Sequence, residues 1–502
     1  MDRAPFPIRP AKSLILLASL VPLLATLPSC FEDIDAKGCR TLADCPPGYT
    51  SCEDGFCFNR EPGCAGAKPV PGDDCCPTGE GDRADDVDCL VADIALGPAD
   101  PDPLDPEDDW VVTELSCPAV ADDGAVVVAA VVRDGTDTSR VMAFRTDAAM
   151  RNVVARARAG DGWVARPAVI GHDFSAYVAH AGGVARMPTA ALELEAEVAS
   201  GLPAGGIVAV GGDESGAHVV VWATESGKVV VYDEKDRTRI ELTLKPEYGG
   251  GEAWAPVASG SGRRAYVVWK SGIVLAIRTR DTPVGPTAVG CADGAWTPGR
   301  AGGASACSGE KPSGPPVEWG RRLYVPLGPS GRVVALEEEE PQSIARRWAA
   351  PLDLGGPIAG RLLVDARGRL VAVLRSGGVR VVKDQGQFGS IVEMADFGTP
   401  VADVPPLLGA DDRVAVFGEG GGEVLSILRR EGTTGAAFEP GIRFRLPVPA
   451  AGAPALADGV LVHGTSGGRL AAWTFPDELA AAGFPKDGAD AGNSGRSIQI
   501  AP

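Results

Sequence analysis

A short apolar strand, a Ser/Gly turn and a second apolar strand recur along most of this 502-residue chain. The copies read VVVAAVVRDGTDTSRVMAF, YVAHAGGVARM, VVVWATESGKVVVY, YVVWKSGIVLAI, LYVPLGPSGRVVAL, LVAVLRSGGVRVV, VAVFGEGGGEVLSI and VLVHGTSGGRLAAW. Their turn residues are Ser139, Gly182, Gly227, Gly272, Gly331, Gly377, Gly422 and Gly467, most of them about 45 residues apart. Only the interval from Gly272 to Gly331 is longer, and it carries an insertion with Cys291 and Cys307. A proline precedes nearly every copy at a similar offset: Pro118, Pro167, Pro256, Pro316, Pro357, Pro406 and Pro454.

Two hairpin strands use about half of such a unit, which leaves room for two more. A lone four-stranded sheet cannot bury two apolar faces, whereas radial stacking of the copies buries both and closes a ring. The expectation is an all-β, eight-bladed β-propeller over residues 110–475. Valine runs such as Val126–Val128, Val219–Val221 and Val229–Val231 suit strands covered on both sides. Gly (66) and Pro (42) are frequent while aromatics are 6%, which argues against a helical bundle. With 47 basic and 67 acidic residues the chain carries −20, a surface that repels phosphate backbones, so nucleic acid is not an expected partner.

The repeat resembles the PQQ-like (quinoprotein-type) propeller repeat family, whose blades read as proline, a variable loop, G-x-L-Y-V, a Gly turn and V-x-A-L-D. GRRLYVPLGPSGRVVAL (320–336) and 459–473 carry the resemblance best, and Gly483-Phe484-Pro485-Lys486 with Asp487, Asp490, Asn493 and Gly495 is similar to a segment that accompanies such propellers. It implies the propeller fold and leaves function open.

Arg3, Arg9 and Lys12 precede an apolar run from Leu14 to Thr26, the pattern of an export signal over residues 1–29. The run ends in Leu27-Pro28-Ser29-Cys30, which resembles the lipobox of bacterial lipoproteins. That resemblance implies a diacylglycerol thioether on Cys30, cleavage before it and a membrane anchor. Phe31 stands where an Asp would imply inner-membrane retention, so the expected location is the outer membrane, lipid-anchored.

Residues 30–96 hold Cys39, Cys45, Cys52, Cys57, Cys64, Cys75, Cys76 and Cys89. In an exported chain this density is expected to be a disulfide module and not a metal site, with connectivity open. Residues 97–109 (GPADPDPLDPEDD) read as a Pro/Asp spacer, and 476–502 as a tail. Cys291 and Cys307 are expected to bridge each other. Cys117 is then the odd thiol, in a position where burial is expected.

No catalytic residue is assigned. Surface and loop positions suffice for the four histidines, His172, His180, His218 and His463. Gly464-Thr465-Ser466-Gly467-Gly468 matches G-x-S-x-G, yet serine–glycine pairs occupy the same turn in other copies, so Ser466 reads as a hairpin residue. Only Ala335–Trp348 approaches a quinone-docking motif, with Glu337–Glu340 where its turn belongs. The reading is a non-catalytic, cofactor-free scaffold with an envelope-protein partner, similar to the propeller lipoprotein of the β-barrel assembly machinery. A PQQ-dependent dehydrogenase is the alternative. Trp110–Leu115 (WVVTEL) is expected to close the ring by completing the last blade.

Overall fold

The computed structural model describes residues 51–53, 56–58 and 90–97 and, apart from short loops and the 293–306 segment, 110–475. Met1–Pro62 and Gly63–Pro502 are separate compact units. In the first, Ser51–Glu53 and Phe56–Phe58 form an antiparallel ribbon whose register sets Cys52 opposite Cys57.

The second unit is an all-β propeller. Among the described residues its strands fall into successive antiparallel units, most of them four-stranded, each turning back on itself as the hairpin repeat requires; two neighbouring units are joined by a parallel pairing of Val289 and Gly290 with Ser343 and Ile344. One of these contains Leu363–Val364, Leu370–Val373, Gly378–Asp384 and Gly389–Asp396 in that order. Counted from the chain's N-terminal side, with the hairpin of Val126–Asp134 and Ser139–Thr146 in the first, it is the sixth such unit. First strands of neighbouring units touch at most junctions, and Ala450–Ala457 of the eighth meets Ala119–Val120 of the first.

Apolar layers fill the junctions. Tyr177, Trp222 and Val230 pack between the second and third units, and Val371, Val381, Val414 and Leu425 meet between the sixth and seventh. Ile94, Leu470 and Val462 pack on Val126, Val128 and Phe144 where the eighth meets the first. Each such side chain, removed from water, contributes about 1.5–3 kcal/mol.

Some of the turn glycines are sterically required. Gly331 has φ +78° and a Cβ there would lie 1.6 Å from the Gly356 carbonyl oxygen; Gly377, at φ +98°, would meet Thr399 O at 2.2 Å. The recurring prolines also have a place. Pro118, Pro256, Pro316 and Pro406 immediately precede the paired stretches Ala119–Val120, Val257–Ala258, Val317–Trp319 and Leu407–Leu408, and Pro454 lies in the register break between Ala451 and Ala455. There the ladder is interrupted and the missing N–H costs little.

Ring closure differs from expectation. Leu90–Ala95 is the fourth strand of the eighth unit, running from Leu90↔Trp473 to Ala95↔Arg469, with Arg469 Nε 2.7 Å from Asp93 Oδ1. Trp110–Leu115 instead begins the first strand of the first unit, pairing from Trp110↔Asp134 to Leu115↔Ala130, with Trp110 packed on Phe144 at 5.7 Å. Reach explains the difference. Pro118 follows Leu115 so closely that the chain could not cross a sheet's width, about 14 Å for strands about 4.8 Å apart, before entering the first unit's inner strand. The closing strand therefore lies inside the stretch assigned to the cysteine module, and the 97–109 spacer joins two parts of the propeller.

Candidate functional site

The seventh residue after the turn residue lies in the later part of the third strand of a unit or just beyond it. Thr146, Glu234, Thr279, Glu338, Asp384 and Arg429 occupy this place, at the end of the units opposite the Ser/Gly turns. In the later units, where it is charged, it clasps the unit before it. Glu338 lies 2.5 Å from Arg264. Asp384 takes an ion pair from Arg322 at 2.5 Å and hydrogen bonds from Tyr324 Oη at 2.8 Å, Trp348 Nε1 at 3.2 Å and the Gly386 N–H at 2.7 Å. Burial opposes its charge, but these four groups outweigh burial and hold the carboxyl below its usual range.

The next clasp has reversed polarity. Arg429 donates to Glu393 Oε1 and Asp412 Oδ2, both at 2.7 Å, while Arg369 reaches Glu393 at 3.1 Å. Burial again opposes ionisation of Glu393, and the arginines win. Buried charges are tolerated here because each meets an opposite charge in hydrogen-bonding geometry.

Glu234, between the second and third units, is the exception. Its side chain is buried, its Oε2 accepts the His172 N–H at 3.3 Å, and its Oε1 has no hydrogen-bond partner. A Cβ on Gly171 would fall 1.9 Å from Oε1, so only glycine admits the carboxyl. The arginine nearby is committed elsewhere: Arg186 holds Asp173 through Nε at 2.9 Å and Nη2 at 2.6 Å, and also pairs with Glu195. Tyr177 Oη donates to Asp173 at 3.2 Å. Burial, and then the Asp173 charge, push Glu234 up to about 8, so it is protonated at neutral pH.

Two of the four histidines depart from the surface and loop positions expected of them. His180 and His463 are buried within strands, and burial lowers both pKa values. His463 packs edge-on against Phe417 at 5.4 Å. His172 and His218 stack edge to face at 4.9 Å beside Glu234. Among the described residues no three His, Cys, Asp or Glu side chains are placed to hold a metal.

Cys291 and Cys307 form a disulfide with Cα atoms 5.5 Å apart, packed in the core with Trp269 and Ile273. Cys117 is buried, with its Sγ 3.8 Å from the Pro454 carbonyl. Cys30, Cys39, Cys45, Cys64, Cys75, Cys76 and Cys89 lie outside the described residues, as do the side chains of Cys52 and Cys57. Ser466 is also outside them, but Val460–Thr465 and Arg469–Thr474 flank it as antiparallel strands, and the Gly468 N–H donates to Thr465 O at 3.0 Å. That is a hairpin, not the strand–turn–helix of a nucleophile elbow. Trp348, the end of the partial docking motif, is fully buried and spends its indole on the Asp384 clasp.

Sequence reasoning missed the clasps, although the seventh position after the turn carries them in three units. Two cavities lie at unit junctions: one of about 520 Å³ between the fourth and fifth units beside the Arg264–Glu338 pair, and one of about 340 Å³ beside the Ser/Gly turns, lined by Arg375, Asp403, Phe417 and Ala450.

No family model matches this chain, and no curated protein matches it. Solved structures similar to it include the β-propeller domain of Cps50 (Swd1) from Myceliophteria thermophila, at 11% identity and TM-score 0.39, covering 60% of this chain and 92% of that one. The C-terminal WD40 domain of Sif2 is similar at 11% identity and TM-score 0.47, covering 73% and 96%.

Proposed function

We propose that this chain is a lipid-anchored, eight-bladed propeller that serves as a protein-binding scaffold in the Gram-negative envelope and acts without turnover. The observation that carries the reading is the series of inter-unit clasps, which hold adjacent units in fixed relation while their outer strands present apolar side chains. Val392, Met394 and Phe388 of the sixth unit are 44%, 67% and 56% exposed. A rigid ring with variable loops supplies interaction surface on a stable frame. The lipobox ending at Cys30 supports the anchor.

Crosslinking in intact cells, followed by recovery of the chain, tests the partner. One specific envelope protein, lost when Met394 is changed to Asp, supports the scaffold. Stoichiometric uptake of PQQ with Ca²⁺ and alcohol-dependent dye reduction would establish the dehydrogenase instead. Palmitate labelling that persists in Cys30→Ala would remove the anchor from the reading.

A further inference from the structure

His463 lies on the Val460–Thr465 strand of the eighth unit, paired with Ala471, and is 0% exposed. It shares a face with Leu461, Ala471 and Trp473 and packs against Phe417 of the seventh unit, ring centroids 5.4 Å apart. Its Nδ1–H donates to the Gly464 carbonyl at 2.8 Å, which leaves Nε2 as a bare acceptor. Nε2 is buried and among the described residues has no hydrogen-bond partner.

The turn bonds locate its counterparts. The Gly468 N–H donates to Thr465 O, two residues past His463, and the same count from Gly227, Gly272 and Gly377 leads to Trp222, Val267 and Ala372. All three are buried, and none ionises. Packing at this place is therefore met elsewhere by apolar side chains.

No carboxylate is placed to receive a charge on His463. Asp93 lies on the same face, beyond Ala471, but holds Arg469 at 2.7 Å. From the seventh unit Arg413 alternates with Ala415 and Phe417 toward the junction, its Nη1 3.5 Å from Ser426 Oγ. Glu423 alternates with Val424 to the opposite face and pairs with Arg443, and Asp403 is exposed and pairs with Arg375. Leu407–Leu408 and Ala450–Ala457, also packed here, carry no charged residue.

We infer that the junction between the seventh and eighth units is an acid-released latch: protonation of His463 separates the two units and loosens the ring at the unit that Leu90–Ala95 completes. An imidazolium there would be buried between two arginines and apolar side chains, a state that costs more than opening the junction to water. Burial accordingly lowers the affinity of the ring for a proton. Above the ordinary 6.5 the closed and opened forms are both neutral; below it only the opened form takes up the proton, so opening gains as pH falls. The inference does not depend on the scaffold reading.

Amide hydrogen exchange of the mature protein between about pH 7.5 and about pH 5.5, corrected for intrinsic rates, tests it. Protection of Val460–Thr465 and Val414–Phe417 should fall by up to about 10-fold per pH unit below 6.5, while Leu370–Val373 of the sixth unit keeps its protection. His463→Phe, which supplies an apolar ring as Trp222 does, should abolish the fall; His463→Leu serves if that variant does not fold. Constant protection at the junction, an equal fall at Leu370–Val373, or the same fall in the folded His463 variant overturns the inference.

Discussion

Replacing Glu234 by Gln should make the propeller more stable at alkaline pH and remove most of one component of its pH dependence. Gln keeps the shape and a carbonyl for the His172 N–H but cannot ionise. In the native protein the carboxyl titrates at about 8 against an ordinary 4.5. Below pH 4.5 both folded and unfolded chains hold the proton, and the group is neutral to stability. As pH rises from 4.5 to about 8 the unfolded chain releases a proton that the fold retains, so stability falls; above that the loss is complete. At about 1.4 kcal/mol per pH unit, the whole loss is on the order of 5 kcal/mol. Asp173 and Tyr177, with Arg186 committed to Asp173, are common to both proteins, so they cancel in the comparison. Urea unfolding between about pH 5 and about pH 9 reads the difference as a divergence of the two stability curves. Parallel curves for wild type and Glu234→Gln would refute the reasoning.

Three further outcomes follow from the same geometry. Asp384→Asn leaves Arg322 facing a neutral amide and should cost about 3 kcal/mol, measurable by denaturant titration, with only part of the loss restored by high salt because the carboxylate is largely buried. Cys291→Ser with Cys307→Ser opens a disulfide whose ends are 16 residues apart and should cost about 3 kcal/mol on the chain-entropy model, read by denaturant titration under non-reducing conditions. Deleting residues 90–95 removes the eighth unit's fourth strand and should lower the melting temperature by several degrees, whereas deleting 31–62, within a separate compact unit, should leave propeller melting nearly unchanged; the opposite ranking refutes the closure.

The clasps were only half legible. The turn glycines and the spacing to Glu234, Glu338, Asp384 and Arg429 can be counted in the chain, and at three of these four places a carboxylate stands there. Their partners cannot be counted, because Arg264 and Arg322 come from the preceding unit and Glu393 from an outer strand that lacks a hairpin signal. Ala335–Trp348 reads as a fragment of a docking motif until Trp348 is seen turned onto Asp384. The histidines read as superficial because their polarity says nothing of the strands that cover His463.

What the chain determines by itself is the local unit: alternating apolar strands, a short glycine-rich turn, and a repeat that forces radial stacking into an all-β ring. Those features act over a few residues, so periodicity and steric limits suffice to read them. Which strand closes the ring was decided only by tertiary structure. LVADIA and WVVTEL are equally fit to be strands, and the choice rests on which can reach Arg469–Thr474 from nearly four hundred residues away without crossing a sheet. The cavity between the fourth and fifth units is likewise tertiary, since its charged lining comes from strands of both.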